Sequence, residues 1–223
     1  MDPKNVPEWL AGHRCFFLFA TLVALLVLVP VFDESEAGKL AFAGASLLVL
    51  VSALVAHART RREVAAVGVF AIPAFAALVA SYALASEKWL VWSWAFSAGV
   101  LIVTLVRLFQ YVLRPAVEPE NAVDRVFGGI DAYLVIGLLW AYLGAILEYF
   151  KPGSFLGIGG TRSLHVADLI VTSFDSITAV GASGIVPHGK GARALFMLET
   201  LLGTLYLAGF VARVVSMYTG RKA

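Results

Sequence analysis

The sequence predicts an all-α membrane protein of six transmembrane helices, with a short re-entrant helix between the fifth and the sixth. Three observations carry this. Of 223 residues, 60% are hydrophobic and only 14% charged, whereas a soluble domain is nearer half apolar and a quarter charged. Six apolar runs approach the roughly 20 residues that cross a bilayer core. Between the last two runs lies an amphipathic segment that ends in glycines, "SLHVADLIVTSFDSITAVGASG".

The runs cover about 14–32, 40–58, 64–85, 89–113, 127–150 and 192–218. The first follows Arg14 and resembles a leader, but it is long for one. "DESEAG" stands where a small-residue cleavage site belongs, so it is expected to be a retained helix. Cys15, the one cysteine, opens this helix as a small apolar residue and excludes an intrachain disulfide. Lys4, Arg14, Arg59, Arg61, Arg62, Arg114, Arg125, Arg221 and Lys222 fall on one side of a six-span topology. The opposite short loops, "DESEAGK" and "SEK", are acidic or neutral. Lys151, Arg162, Lys190 and Arg193 in the third outer loop weaken this asymmetry without reversing it. The positive-inside rule then puts both termini in the cytoplasm, in a multi-pass inner-membrane protein. Trp89, Trp92 and Trp94 fit an aromatic belt at the outer end of the fourth span. A net charge of +2 gives no reason to expect nucleic acid, and no zinc spacing or nucleotide fingerprint is present.

The segment "TAVGASG" is unlike core or helix. Non-helical backbone at membrane depth persists only where protein buries it or water bathes it. Small residues let carbonyls approach a ligand without obstruction. A re-entrant helix, then an extended stretch of this kind, then a last helix is the pore-loop plan.

The region Asp168–Tyr218 resembles the pore domain of the tetrameric potassium-channel family, and in particular its small bacterial six-helix members. The family pattern runs D-L-L-Y-F-S-F-V-T-L-T-T-V-G-Y-G-D-I-x-P. "DLIVTSFDSITAVGASGIVP" lies on it without a gap, matching at Asp168, Leu169, Ser173, Phe174, Thr178, Val180, Gly181, Ile185 and Pro187. "ARALFMLETLLGTLYLAGFVARVV" resembles the family's inner helix and "GIDAYLVIGLLWAYLGAILE" its outer helix. The resemblance implies a pore domain over 118–223, made of outer helix, pore helix, filter and inner helix. Residues 1–117 then form a four-helix membrane part. It also implies a homotetramer in the lipid bilayer, with Thr178, Ala179, Val180, Gly181, Ala182, Ser183 and Gly184 as the selectivity filter. The permeant species is a monovalent cation, K+ or Na+; no cofactor, bound metal or catalytic residue is expected.

The filter departs from the family pattern at most positions. The threonine whose hydroxyl lines the innermost ion site is Ala179, and the bracing tyrosine is Ala182. The second glycine is Ser183, and the tethering aspartate is Gly184. No tryptophan stands in the pore helix. These losses point to altered or weak potassium selectivity. Asp175, near the end of the pore helix, opposes the helix dipole. Filter amides, Ser183 or a cation would serve as its partner; it is either a solvated or hydrogen-bonded helix-end group or one of a ring of four negative charges beside the pathway that favours cations.

Other residues divide between roles. Glu199 either shapes the inner-helix pathway or braces the pore helix from behind. Gly203 sits at the family's hinge position, where glycine allows bending or close packing. Asp131 falls early in the fifth span and suits an interfacial site near Arg213. His165 and His188 flank the filter on the outer side as ordinary loop histidines. The fourth span carries only Arg107 and Arg114, both near its inner end, so a voltage sensor is not expected. An intramembrane enzyme is disfavoured, since only loop histidines could serve Ser183 as a base. The alternative to a channel is a non-conducting scaffold of the same architecture.

Overall fold

A computed structural model describes residues 14–28, 44–53, 61–113, 122–157, 165–181 and 184–219. Seven helices and two short strands occur among them: α1 (Arg14–Leu28), α2 (Gly44–Ala53), α3 (Arg61–Ala83), α4 (Glu87–Leu113), α5 (Ala122–Phe150), β1 (Phe155–Gly157), α6 (Val166–Ile177), β2 (Ile185–Pro187) and α7 (Lys190–Thr219). Four contain apolar stretches long enough to cross a membrane: Val64–Ala83, Glu87–Leu113, Val123–Phe150 and Lys190–Ser216. The first two apolar runs give shorter described helices, Cys15–Leu28 and Gly44–Ala53. The charge pattern that sets orientation falls partly on Lys4, Arg59, Arg114, Arg221 and Lys222, which lie outside the described residues.

The chain divides into two compact units, Met1–Val135 and Ile136–Ala223, with the boundary inside α5. In the first unit, α3 runs through Pro73 without ending. The proline ring removes one backbone donor. In an apolar helix the freed carbonyl is re-satisfied locally, so the helix survives. α3 ends instead at Ala83, and two residues on Ala85 takes the left-handed conformation at φ +46°. The Ser86 amide then reaches back to the Ser81 carbonyl at 3.2 Å, and α4 begins one residue later.

α3 and α4 pack closely at Gly99. A Cβ there would lie 2.6 Å from a Phe70 ring carbon, so glycine is needed for the ring to lie flat on α4. α1 presents Cys15, Leu18, Leu22 and Leu25 as one buried stripe. Its Phe16 and Phe19 rings each sit 5.3 Å from Phe127 of α5. Asp124 in the first turn of α5 ties the three helices: one oxygen accepts the Cys15 amide at 3.1 Å, the other the Tyr111 hydroxyl at 2.9 Å. A carboxylate near a helix N-terminus is also favoured by the helix dipole.

Gly99→Val should lower the unfolding free energy of the purified protein by about 1–3 kcal/mol, the usual effect of overpacking. Phe70→Ala in the same chain should recover part of that loss. Detergent-denaturant unfolding of the single and double variants measures both.

Candidate functional site

The second unit builds its site around α6, which has 12 residues. At 1.5 Å per residue it is about 18 Å long, too short to cross a bilayer. The Asp168 carboxylate accepts the His165 amide at 3.1 Å and so closes the N-terminus of α6. Leu169, Ile170, Thr172, Ser173 and Ile177 form its buried face.

β1 and β2 pair antiparallel in the register Phe155↔Pro187, Leu156↔Val186, Gly157↔Ile185. The chain therefore leaves one place as β1 and returns to it as β2, with α6 and the glycine-rich stretch in between. Side chains fix this closure. The Glu148 carboxylate accepts the amides of Gly153 at 2.7 Å and Phe155 at 3.0 Å. The Ser154 carbonyl accepts the His188 amide at 2.8 Å. Phe155, fully buried, packs its ring 5.3 Å from that of Phe196 on α7.

Three successive levels hold α6 against its neighbours. At the first, the Ser173 hydroxyl donates to the Gly137 carbonyl of α5 at 2.6 Å. The same oxygen contacts Glu199 Oε1 of α7. A serine hydroxyl has one hydrogen, so both contacts close as hydrogen bonds when the Glu199 carboxyl supplies the second. At the next level, the hydroxyls of Ser176 and Thr200 share a hydrogen bond at 2.9 Å. At the third, Gly203 meets the end of α6. A Cβ on Gly203 would stand 2.4 Å from Ile177 Cγ1 and 2.6 Å from the Ile177 carbonyl oxygen. Glycine at 203 thus serves close packing here. Similarly, the ring of Phe174 occupies the space beside Gly137, where a Cβ would lie 2.8 Å from it. The Trp140 indole donates to the Leu195 carbonyl at 2.9 Å and joins α5 to α7 directly.

After Ile177 the backbone does not extend as the sequence reading expects; it folds back on the helix end. Thr178 is the C-cap, and Ala179 takes the left-handed conformation at φ +58°. The Val180 amide bonds to the Asp175 carbonyl at 3.0 Å and the Ala179 amide to the Ser176 carbonyl at 3.0 Å. This is the Schellman pairing, with alanine where glycine is usual. The Gly181 amide adds a further bond to the Asp175 carbonyl at 3.2 Å, with Gly181 itself at φ +69°. The physical reason is acceptor supply: bonding to the last helical carbonyls satisfies amides that have little else to bond to.

In a planar trans peptide each N–H is antiparallel to the preceding C=O. With the amides of Ala179, Val180 and Gly181 aimed back at α6, the carbonyls of Thr178, Ala179 and Val180 aim away from it. All three residues are exposed, Val180 at 66%. None of these carbonyls accepts a hydrogen bond among the described residues. Three unmet carbonyls, added to the negative end of the α6 dipole, make an electronegative patch.

Asp175 takes part through its carbonyl; its carboxylate has no hydrogen-bond partner among the described residues. Gly184 has φ +68° and leads into β2, while Ala182 and Ser183 lie outside the described residues. Sequence reasoning missed Ser173, Ser176, Thr200 and Gly137 as the fastening of the site. For Ser173 and Ser176 the sequence signal is small polar residues recurring on one face of α6; Thr200 of α7 and Gly137 of α5 carry none.

Glu199→Gln should keep stability near that of the unaltered protein, because the amide can donate to Ser173 as the carboxyl does. Glu199→Leu removes one of the two partners of the buried Ser173 hydroxyl and should cost about 1–3 kcal/mol. Unfolding of the two variants in detergent separates these outcomes. No family model, no curated protein and no solved structure matches this chain.

Proposed function

We propose that the chain is the subunit of a homotetrameric pore-loop channel that conducts monovalent cations with weak discrimination between sodium and potassium. The observation that carries this is the carbonyl patch at the end of α6. A set of exposed carbonyls backed by a helix C-terminus attracts cations and repels anions. One such patch per chain encloses a pathway only when several chains meet. The β1–β2 pairing supports a re-entrant course for α6, since a segment that begins and ends at one place need not cross the membrane.

The burial of the helices supports assembly. The apolar stretch of α5 is 61% buried inside the chain, that of α7 only 11%. Leu198, Leu201, Leu202 and Leu205 of α7 are exposed in the single chain. They would cover themselves against lipid and neighbouring copies. In this reading six helices span the inner membrane, residues 1–117 are a four-helix membrane domain without a voltage sensor, and both termini are cytoplasmic.

Weak selectivity follows from the same geometry. Strong discrimination needs carbonyls stacked along an extended backbone that replace the whole hydration shell. Here Thr178–Gly181 form a turn, and Ala179 offers no hydroxyl. The expected ion keeps part of its water.

In planar bilayers the purified protein should show cation currents whose reversal potential moves little when sodium replaces potassium. A reversal potential that follows the potassium gradient alone would overturn the weak-selectivity reading. Absence of current from an intact tetramer would leave the non-conducting scaffold. Conductance should vary less than a few-fold over about 100 mV, because moving each gating charge is worth about 2.3 kcal/mol per 100 mV and α4 carries no charge ladder. Mass measurement in detergent should give four copies; a stable monomer or dimer alone would refute the assembly.

A further inference from the structure

One buried acid of the second unit is held by a single oxygen. Glu199 stands within the apolar stretch Lys190–Ser216 of α7 at 0% exposure, and its Oε2 has no hydrogen-bond partner among the described residues. Its Oε1 meets the Ser173 hydroxyl of α6. That hydroxyl, also buried, lies 2.6 Å from the Gly137 carbonyl oxygen of α5.

Three oxygens therefore stand in a row: the Gly137 carbonyl, the Ser173 hydroxyl and Glu199 Oε1. Oxygens this close repel unless a hydrogen lies between them, so the two gaps need two hydrogens. The carbonyl has none to give and the serine has one. The second belongs to Glu199, because a protonated carboxyl donates whereas a carboxylate only accepts. The unpartnered Oε2 points the same way. As the carbonyl oxygen of a neutral acid it leaves one acceptor unmet. As half of a carboxylate it leaves charge buried without a donor, which is far more costly.

The charged groups of the neighbouring elements do not replace that hydrogen. On α7 itself, Arg193 and Arg213 stand six and fourteen residues from Glu199, about 9 and 21 Å along the axis. α6 carries only acids, Asp175 and Asp168, the latter engaged by the His165 amide. α5 adds two more acids. Glu148, eleven residues after Gly137, accepts the Gly153 and Phe155 amides. Asp131, six residues before Gly137, is fully buried nine residues into Val123–Phe150, where the sequence reading places it at an interface. β1 and β2 carry no titratable side chain.

We infer that Glu199 is a proton-binding site whose proton pins α6 between α5 and α7, and that losing the proton unpins it. When the proton leaves, the serine hydrogen turns to the charged carboxylate, the stronger acceptor. Ser173 Oγ and the Gly137 carbonyl then face each other with no hydrogen between them, and α6 moves off α5. The close contacts of Phe174 at Gly137 and of Ile177 at Gly203 loosen with it. The site holds whether or not the protein conducts.

The test uses the full chain. In lipid nanodiscs at neutral pH, the infrared spectrum should show a protonated-carboxyl stretch that Glu199→Gln removes. Carbon-13 in the glutamate side chains should shift that band in the unaltered protein, which needs no variant and separates it from any aspartic acid. Unfolded glutamates titrate at about 4.3, so above that pH and while the band persists, unfolding releases one proton. In detergent, the folding equilibrium constant relative to that of Glu199→Gln should then fall about tenfold per pH unit. As rising pH abolishes the band, hydrogen exchange at the α6 amides, corrected for its intrinsic pH dependence, should rise in the unaltered protein and stay level in Glu199→Gln. A neutral-pH spectrum without a glutamic-acid band, or a folding ratio independent of pH, would overturn the inference. So would α6 exchange that rises equally in both proteins.

Discussion

The second unit depends on one serine. Ser173 joins the Gly137 carbonyl of α5 to the Glu199 carboxyl of α7 through a single side chain on α6. Each of these groups is buried, so none can exchange its partner for water. Losing Ser173 leaves the Glu199 carboxyl without its one partner, and a stranded buried polar group costs about 1–3 kcal/mol. The glycines on either side follow from this fastening. Gly137 admits the Phe174 ring and Gly203 admits the Ile177 backbone because the serine holds α6 that close. A helix of 12 residues with little intrinsic stability of its own is thereby fixed in place.

What the fastening positions is the end of α6. Ala179 accepts a conformation that costs a non-glycine residue roughly 1–2 kcal/mol, and the Schellman bonds offset it. Glycine at 179 would relieve that strain but would also loosen the turn, because glycine loses more freedom on ordering. Alanine keeps the turn stiff without placing a side chain over the carbonyls. The direction of the Thr178, Ala179 and Val180 carbonyls is thus set by amide bonding behind them, whereas a tyrosine or tryptophan brace would act from the side.

Much of the helical arrangement was legible because apolar length is a composition signal. The runs at 64–85, 89–113, 127–150 and 192–218 reappear as helices long enough to cross a membrane. α6 was legible from its amphipathic spacing and the glycines after it. The turn over Thr178–Gly181 was not, since small residues are compatible with either extended or folded backbone; the choice rests on where the amides find acceptors. The β1–β2 pair was also hidden. Strands of three residues carry no readable periodicity, and Glu148, which anchors the first, looks like any helix-end carboxylate. Glu199 and Gly203 stood out in the sequence, but their roles depended on partners remote in the chain.

The same physics separates the two buried carboxyls. Glu199 and Asp131 are alike in type, burial and position within apolar helices. They differ in what faces them. Glu199 meets Ser173, whose hydroxyl also contacts a backbone carbonyl, so a chain of contacts joins three helices. Neither oxygen of Asp131 has a hydrogen-bond partner among the described residues. A carboxyl with one oxygen held, as Glu199 Oε1 is by Ser173, fastens helices even though its Oε2 is buried without a partner among the described residues. A carboxyl with neither oxygen held fastens nothing, and its burial only adds a desolvation cost that the rest of the unit must offset.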